Sequence, residues 1–236
     1  MPRNLRYLIV LVIFSVGAIY LYRFFRPTRM RSALVFAWMR DPASEPGLAI
    51  AAGARCGNAP FIFPTTGVPG FLWDDSFRIG HRHQGVDIFA GTDVNVTDVV
   101  AVSYGFLTRL PEWKSSLILR IPSDPLEPGR QIWVYYTHMA DPQGDSFISP
   151  DFPPGTYEKP VEAGAFLGRQ GDYSGDPNNP VGVHLHISIV KDKGGNFMNE
   201  LDINNTYDPS TYFGLPLNGR KNRDKIPACD PAAGDQ

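Results

Sequence analysis

The sequence predicts a mostly β fold, a compact antiparallel sheet or sandwich, with an N-terminal membrane-anchor helix. Three observations carry this. Apolar runs are short and interrupted by turn residues, with 23 glycines and 22 prolines among 236 residues, a pattern that favours strands over a helical bundle. Many of these runs are rich in β-branched and aromatic residues, which suit a pleated surface. The exception is Tyr7 to Tyr22, a stretch of sixteen residues without a charge.

As a helix, that stretch would cover ~24 Å against a hydrocarbon core of roughly 30 Å, so a crossing draws on Phe24 and Phe25 and on snorkelling by Arg6 and Arg23. A signal peptide is the competing reading, with Val16-Gly17-Ala18 as the small-residue cleavage site. Apolar residues continue beyond that point, which favours an uncleaved anchor. Residues 1–29 are therefore read as a short cytoplasmic stub with a membrane anchor or signal segment, and residues 30–55 as a juxtamembrane stem or linker. Within the stem, Ser32 to Met39 could be a short amphipathic helix at the membrane surface or a continuation of the stem, and "DPASEPG" reads as a linker.

Orientation and redox state point in different directions. Arg23, Arg26, Arg29 and Arg31 outnumber Arg3 and Arg6, which by the positive-inside rule would hold the C-terminal side in the cytoplasm. The only two cysteines, Cys56 and Cys229, lie at the opening and close of the main domain without metal-binding spacing. In an oxidising compartment they could staple its ends; two separate buried thiols are the alternative.

The main domain, residues 56–216, contains the β-like runs "FIF", "GVDIFA", "VVAVSYGFLTRL", "SSLILRI", "QIWVYYTHM", "AFLGRQ" and "VHLHISIV". Between Ala140 and Pro160 lies a long proline-rich connection, either a wall of a functional cleft or a surface insertion. Residues 217–236 read as a polar, poorly ordered tail. Eight arginines against Asp41 and Glu45 make residues 1–55 basic, so the remainder is acidic. An acidic main domain is a poor nucleic-acid binder, and no nucleic-acid partner is expected.

The histidines carry the chemistry. In "GVHLHISIV" a strand places His184 and His186 on one face and Leu185 and Ile187 on the other. His83 and Asp87 sit in "HRHQGVDIF", where Gly85 and the β-branched run favour a turn entering a strand. His138 closes "WVYYTHM". Zinc takes imidazole and carboxylate ligands, and a catalytic zinc keeps three protein ligands and an open position. His83, Asp87 and one histidine of the 184/186 pair would supply such a set. No H-E-x-x-H is present, which excludes a helix-borne zinc protease site of that kind.

In order along the chain, "HQGVD", "VVAVSYG", "YYTHM", "VEAGAFLGRQGDYSG" and "GVHLHISI" resemble the segments of the LytM/lysostaphin-type zinc endopeptidases. The match spans about Phe61 to Val190 and leaves the anchor, stem and tail outside it. The resemblance implies a lysostaphin-like, duplicated-hybrid-motif β fold and one Zn2+ per chain, held by His83, Asp87 and His186. It also implies catalytic roles for His138 and His184 and hydrolysis of short peptide cross-links in peptidoglycan. The expected location is then outside the cytoplasm, membrane-anchored, or secreted if the N-terminal segment is cleaved. A non-catalytic wall-binding scaffold or activator of the same fold is the alternative, and such proteins lose ligands; none is lost here.

Several positions depart from the family's pattern. His81, two residues before His83, reads as a cleft-rim residue. Ile187 and Ser188 follow the last histidine where many members have Phe and Glu, so a carboxylate that supports the ligand is missing or supplied elsewhere. The Ala140 to Pro160 connection and "GDYSGDPNNPVG" are both long and are expected to rim the cleft. Trp73, Trp133, Tyr135 and Tyr136 are candidates for a substrate platform; aromatics in strands are more often core, and Tyr136 has the better case because it occupies the family's Y-x-H position.

Overall fold

Side chains on a strand alternate between two faces, and here the alternation separates a core from a functional surface. The computed structural model describes residues 3–76 and 80–229. After a long helix α1 (Arg3–Arg40) come the strands β1 (Val68–Phe71), β2 (Val86–Phe89), β3 (Asp98–Val100), β4 (Gly105–Thr108), β5 (Leu117–Ile121) and β6 (Ile132–Thr137). They are followed by β7 (Lys159–Val161), β8 (Phe166–Arg169), β9 (Leu185–Lys193), β10 (Asn196–Phe197) and β11 (Thr206–Tyr207), then a single helical turn α2 (Ser210–Phe213). The main sheet runs β1-β2-β9-β6-β5-β4-β7, with β10 and β11 also paired to β9; β3 and β8 form a separate ribbon. All pairings between these strands are antiparallel. The mostly β architecture expected from the sequence is thus present.

Leu185, Ile187 and Ile189 of β9 project from one face of the sheet into the core, where Val134 and Tyr136 of β6 and Leu117 and Leu119 of β5 meet Val99 and Leu167 of the small ribbon. The opposite face carries the polar residues. Segmentation differs from the sequence reading in two of the runs named above. "VVAVSYGFLTRL" is two strands in two different sheets, β3 and β4. "FIF" is not a strand, although Phe61 and Phe63 are buried. The edge strand β1 contains Pro69 and the edge strand β7 contains Pro160, positions where a missing N–H costs no ladder bond and blunts edge-to-edge association.

Helix α1 includes an apolar span, Asn4–Tyr22, with mean hydropathy 2.0 and no part of it buried, long and apolar enough to cross a membrane. The side chains of Arg23, Phe24 and Phe25, on which a crossing draws, lie outside those described. The helix continues without a break to Arg40 and docks on the domain, burying Val35 and Trp38 against Val68 and Phe89. "DPASEPG" follows as two short 3-10 turns, Pro42–Ser44 and Pro46–Leu48.

The polar tail is also more ordered than its composition suggests. Leu217 and Asn218 are buried, Ile226 packs beside Val35 and Trp38, and the Asn222 and Arg223 carbonyls accept hydrogen bonds from Arg31. Cys56 and Cys229 form a disulfide across 173 residues, with Cα atoms 5.2 Å apart. Closing so long a loop in the unfolded chain is worth about 2–5 kcal/mol. Residues 230–236, the end of the expected tail, lie outside the described residues.

Candidate metal centre and catalytic cleft

The register of the sheet assembles the site. Asp87 on β2 is paired directly with His186 on β9, and His186 in turn with Thr137 on β6, so the three side chains share the face opposite the core. His83 arrives from the turn before β2. Its backbone N–H donates to the Asp75 carbonyl and its carbonyl accepts from Asp74, both at 2.8 Å.

Three potential ligand atoms converge. His186 Nδ1 lies 2.7 Å from Asp87 Oδ1 and 3.1 Å from His83 Nε2, and His83 Nε2 lies 3.2 Å from Asp87 Oδ1. Ligands at about 2.0–2.1 Å from a tetrahedral zinc stand ~3.3 Å apart, so the spacing is close to that of a metal's coordination edges. The far ring nitrogens have partners of their own. His83 Nδ1 lies 3.0 Å from the Leu72 carbonyl, which can only accept, so Nδ1 carries the proton. His186 Nε2 lies 2.9 Å from Ser188 Oγ, which can accept its proton and leave Nδ1 as a donor atom for a metal. In this arrangement two imidazole lone pairs and a carboxylate face one point, a donor set that suits a divalent cation. Ser188 therefore fills with a hydroxyl the supporting position where a carboxylate was looked for.

Electrostatics agree with a charged carboxylate. Burial works to raise the Asp87 pKa, but the neighbouring His83, His184 and His186 rings hold it well below the ordinary range. Burial would lower the His83 pKa, and the Asp87 carboxylate outweighs it and raises it. For His186 burial prevails over Asp87 and lowers the pKa.

The glycine of "HQGVD" has a steric cause. A Cβ on Gly85 would collide with the Ile187 carbonyl and lie 2.5 Å from Ser188 Oγ and 2.7 Å from His186 Nε2. Gly85→Ala is expected to displace His186, weaken metal binding about tenfold or more and cost about 1–3 kcal/mol of stability. A metal competition titration beside a thermal melt measures both; unchanged affinity would disprove the steric role.

His138 and His184 stand beside this cluster. Their ring centroids are 4.5 Å apart, and His184 Nε2 is 3.6 Å from Asp87 Oδ1. His138 Nδ1 donates to the Tyr173 carbonyl at 2.6 Å and His184 Nδ1 to the Gly182 carbonyl at 2.5 Å. Each Nε2 is therefore left with a lone pair. Burial, with His184 and His186 nearby, pushes the His138 pKa down to about 3, so its ring is neutral at physiological pH. His138 leaves β6 with φ 72°, a left-handed conformation unusual for a non-glycine residue and of the kind held at functional sites.

All five sequence-predicted site residues line one open cleft of about 640 Å³. The cleft also takes Phe36 from α1, Phe71 from β1, Tyr135 from β6, Tyr173 to Gly175, and Glu200, whose carboxyl pKa is raised by burial. Several expectations about the rim are corrected. "GDYSGDPNNPVG" does contribute to it, but the Ala140 to Pro160 connection does not. Ile148 and Phe152 of that connection are buried in the main core, and Arg109 donates to the Phe152 carbonyl. His81 is half-buried and is not among the cleft-lining residues. Tyr136 faces the core, its hydroxyl accepting from the Val102 N–H at 3.1 Å; the register puts Tyr135 on the cleft side. Trp73 donates to Thr206 and Trp133 to Asp192, and neither lines the cleft. Tyr135 could have been found from the sequence, since it shares strand parity with Thr137. Phe36 could not, because nothing in the helix points to a cleft over thirty residues away.

Among solved structures, the chain is similar to a protein of Ruminococcus gnavus provisionally assigned as a glycyl-glycine endopeptidase, lytM. The two are 20% identical with a TM-score of 0.39, over 72% of this chain and 64% of that one. It is also similar to Csd3 of Helicobacter pylori, at 18% identity and a TM-score of 0.33, over 62% of this chain and 34% of that one. The chain thus spans less than two thirds of the length of either. No family model matches the sequence, and no curated protein does.

Proposed function

We propose that this protein is a zinc-dependent metalloendopeptidase of the LytM/lysostaphin type that hydrolyses short peptide cross-links in peptidoglycan. The observation that carries the reading is the pairing of a three-donor cluster with two histidines whose free Nε2 lone pairs face the same cleft. His83 Nε2, Asp87 Oδ1 and His186 Nδ1 would hold the ion. When bound, zinc supplies Lewis-acid polarisation of a peptide carbonyl and makes water more acidic.

The chain's own residues supply the rest. One Nε2, of His184 or His138, takes the proton of the water that attacks the scissile carbonyl and returns it to the departing amine, while the other accepts a second hydrogen bond from that water and orients it. The Tyr173 and Gly182 carbonyls keep both rings in the tautomer this requires. An extended peptide fits the open cleft, between the Phe36 and Phe71 wall and Tyr135 opposite.

The domain works outside the cytoplasm, held by the N-terminal helix or released if that helix is cleaved. The disulfide supports an oxidising compartment. Arg31, one of the four arginines that opposed this orientation, is wholly buried in the domain, so its charge is not free to engage the membrane surface.

The test uses the full chain in detergent. Elemental analysis is expected to give one zinc per chain, and peptidoglycan fragments with glycyl or D-amino-acid linkages should be cleaved, with activity lost to a chelator and restored by zinc. A folded chain that takes up no zinc, or hydrolysis indifferent to chelation, would overturn the proposal.

A further inference from the structure

We infer that the docked end of α1 is a working part of the metal site, with Arg31 a positioning residue for His83 and Phe36 a wall of the cleft. This rests on the metallopeptidase reading above.

Arg31 has no exposed surface, a rare condition for arginine that requires every donor to be matched. Its Nε donates to the Gly70 carbonyl at 2.9 Å, one terminal nitrogen to the Asn222 and Arg223 carbonyls at 2.8 and 3.0 Å, and the other to Asp75 Oδ2. The same carboxylate oxygen accepts the Leu72 N–H at 2.7 Å. The Leu72 carbonyl in turn accepts His83 Nδ1–H, and the Asp75 carbonyl accepts the His83 backbone N–H. Gly70 to Asp75 is thus clamped between a guanidinium on the helix and the imidazole of a proposed ligand. Leu72, Asp74 and Asp75 of this short segment all hydrogen-bond to His83.

A second contact reaches the other histidines. Phe36 packs edge-on against Phe71 and Phe89, at centroid distances of 6.3 and 6.5 Å. Phe89 stacks on His184 at 5.0 Å. Outer partners of ligating histidines are commonly worth 10–100-fold in metal affinity, and coupling between two sites is reciprocal. Docking of α1 and metal binding therefore stabilise one another.

The experiment measures zinc affinity by chelator competition in the full chain, for wild type, Arg31→Ala and the double variant Arg31→Met/Asp75→Asn. The double variant leaves no uncompensated buried charge. Thermal melts monitor folding. Weakening of about tenfold or more in a folded variant is expected; wild-type affinity in a folded variant overturns the inference. Hydrogen exchange on the wild type needs no variant. Added zinc should protect the Arg31 to Met39 amides, and protection confined to residues 83–87 and 184–188 would overturn the coupling. Failure of wild type itself to bind zinc is a separate result, since it refutes the metallopeptidase reading.

Discussion

Asp87→Ala, and equally His186→Ala, is expected to release the metal and abolish hydrolysis together. Each removes one of three donor atoms whose mutual distances are 2.7 to 3.2 Å, and two donors cannot fix a catalytic ion against water. The loss of affinity should exceed the roughly 10–100-fold typical of outer partners, so purified variants should contain far less than one zinc per chain. Asp87 is also the negative charge about which three imidazoles are arranged, so its removal leaves the histidines with no anion to attract a cation. Elemental analysis beside circular dichroism decides the matter. A folded Asp87→Ala protein that kept one zinc would remove Asp87 from the ligand set.

His138→Ala and His184→Ala should separate binding from chemistry. Neither Nε2 is one of the three converging atoms, so zinc content should stay at one per chain. Turnover should fall by roughly 10²–10⁴-fold, the usual contribution of a positioned acid or base. His81→Ala is the internal control and should change turnover little, because His81 does not line the cleft. Loss of zinc in His184→Ala would mean that this residue, 3.6 Å from Asp87, is a ligand. An equal loss of turnover in His81→Ala would mean that the first motif has been misread.

The proposed site was legible in the sequence to the extent that it depends on strand parity and local spacing. His184 and His186 share a face because the period of a strand is two, and the buried Leu185 and Ile187 fix which face is core. Gly85 marks a turn entering a strand, but the close approach of Ile187, Ser188 and His186 that requires a glycine there comes from the fold. What could not be read is contributed by backbone carbonyls and by contacts distant in sequence. The Leu72, Tyr173 and Gly182 carbonyls that set the histidine tautomers are invisible in residue identity. The Y-x-H position before His138 favours Tyr136 in the sequence, but the register, which pairs Tyr135 with Ser188 and Thr137 with His186, turns Tyr135 to the cleft side. β1 escaped detection because "VPGF" reads as a turn, and the sheet tolerates it only because it is an edge. The Ala140 to Pro160 connection looked like a cleft wall by length and composition, yet its apolar residues reach the core instead.

The unbroken path of α1, from an apolar span ending at Tyr22 to Phe36 in the cleft wall, sets a working height for the proposed enzyme. Fourteen residues of helix separate those two positions, ~21 Å at 1.5 Å per residue. Through this helical connection, a retained anchor would hold the cleft near the bilayer rather than let it range outward through the wall. Its substrates would be drawn from the thin layer of material next to the bilayer. Cleavage behind Ala18 would keep the docked turns and the cleft wall while removing that restriction, so proteolysis of the leader would change the depth at which the enzyme acts and leave its chemistry intact.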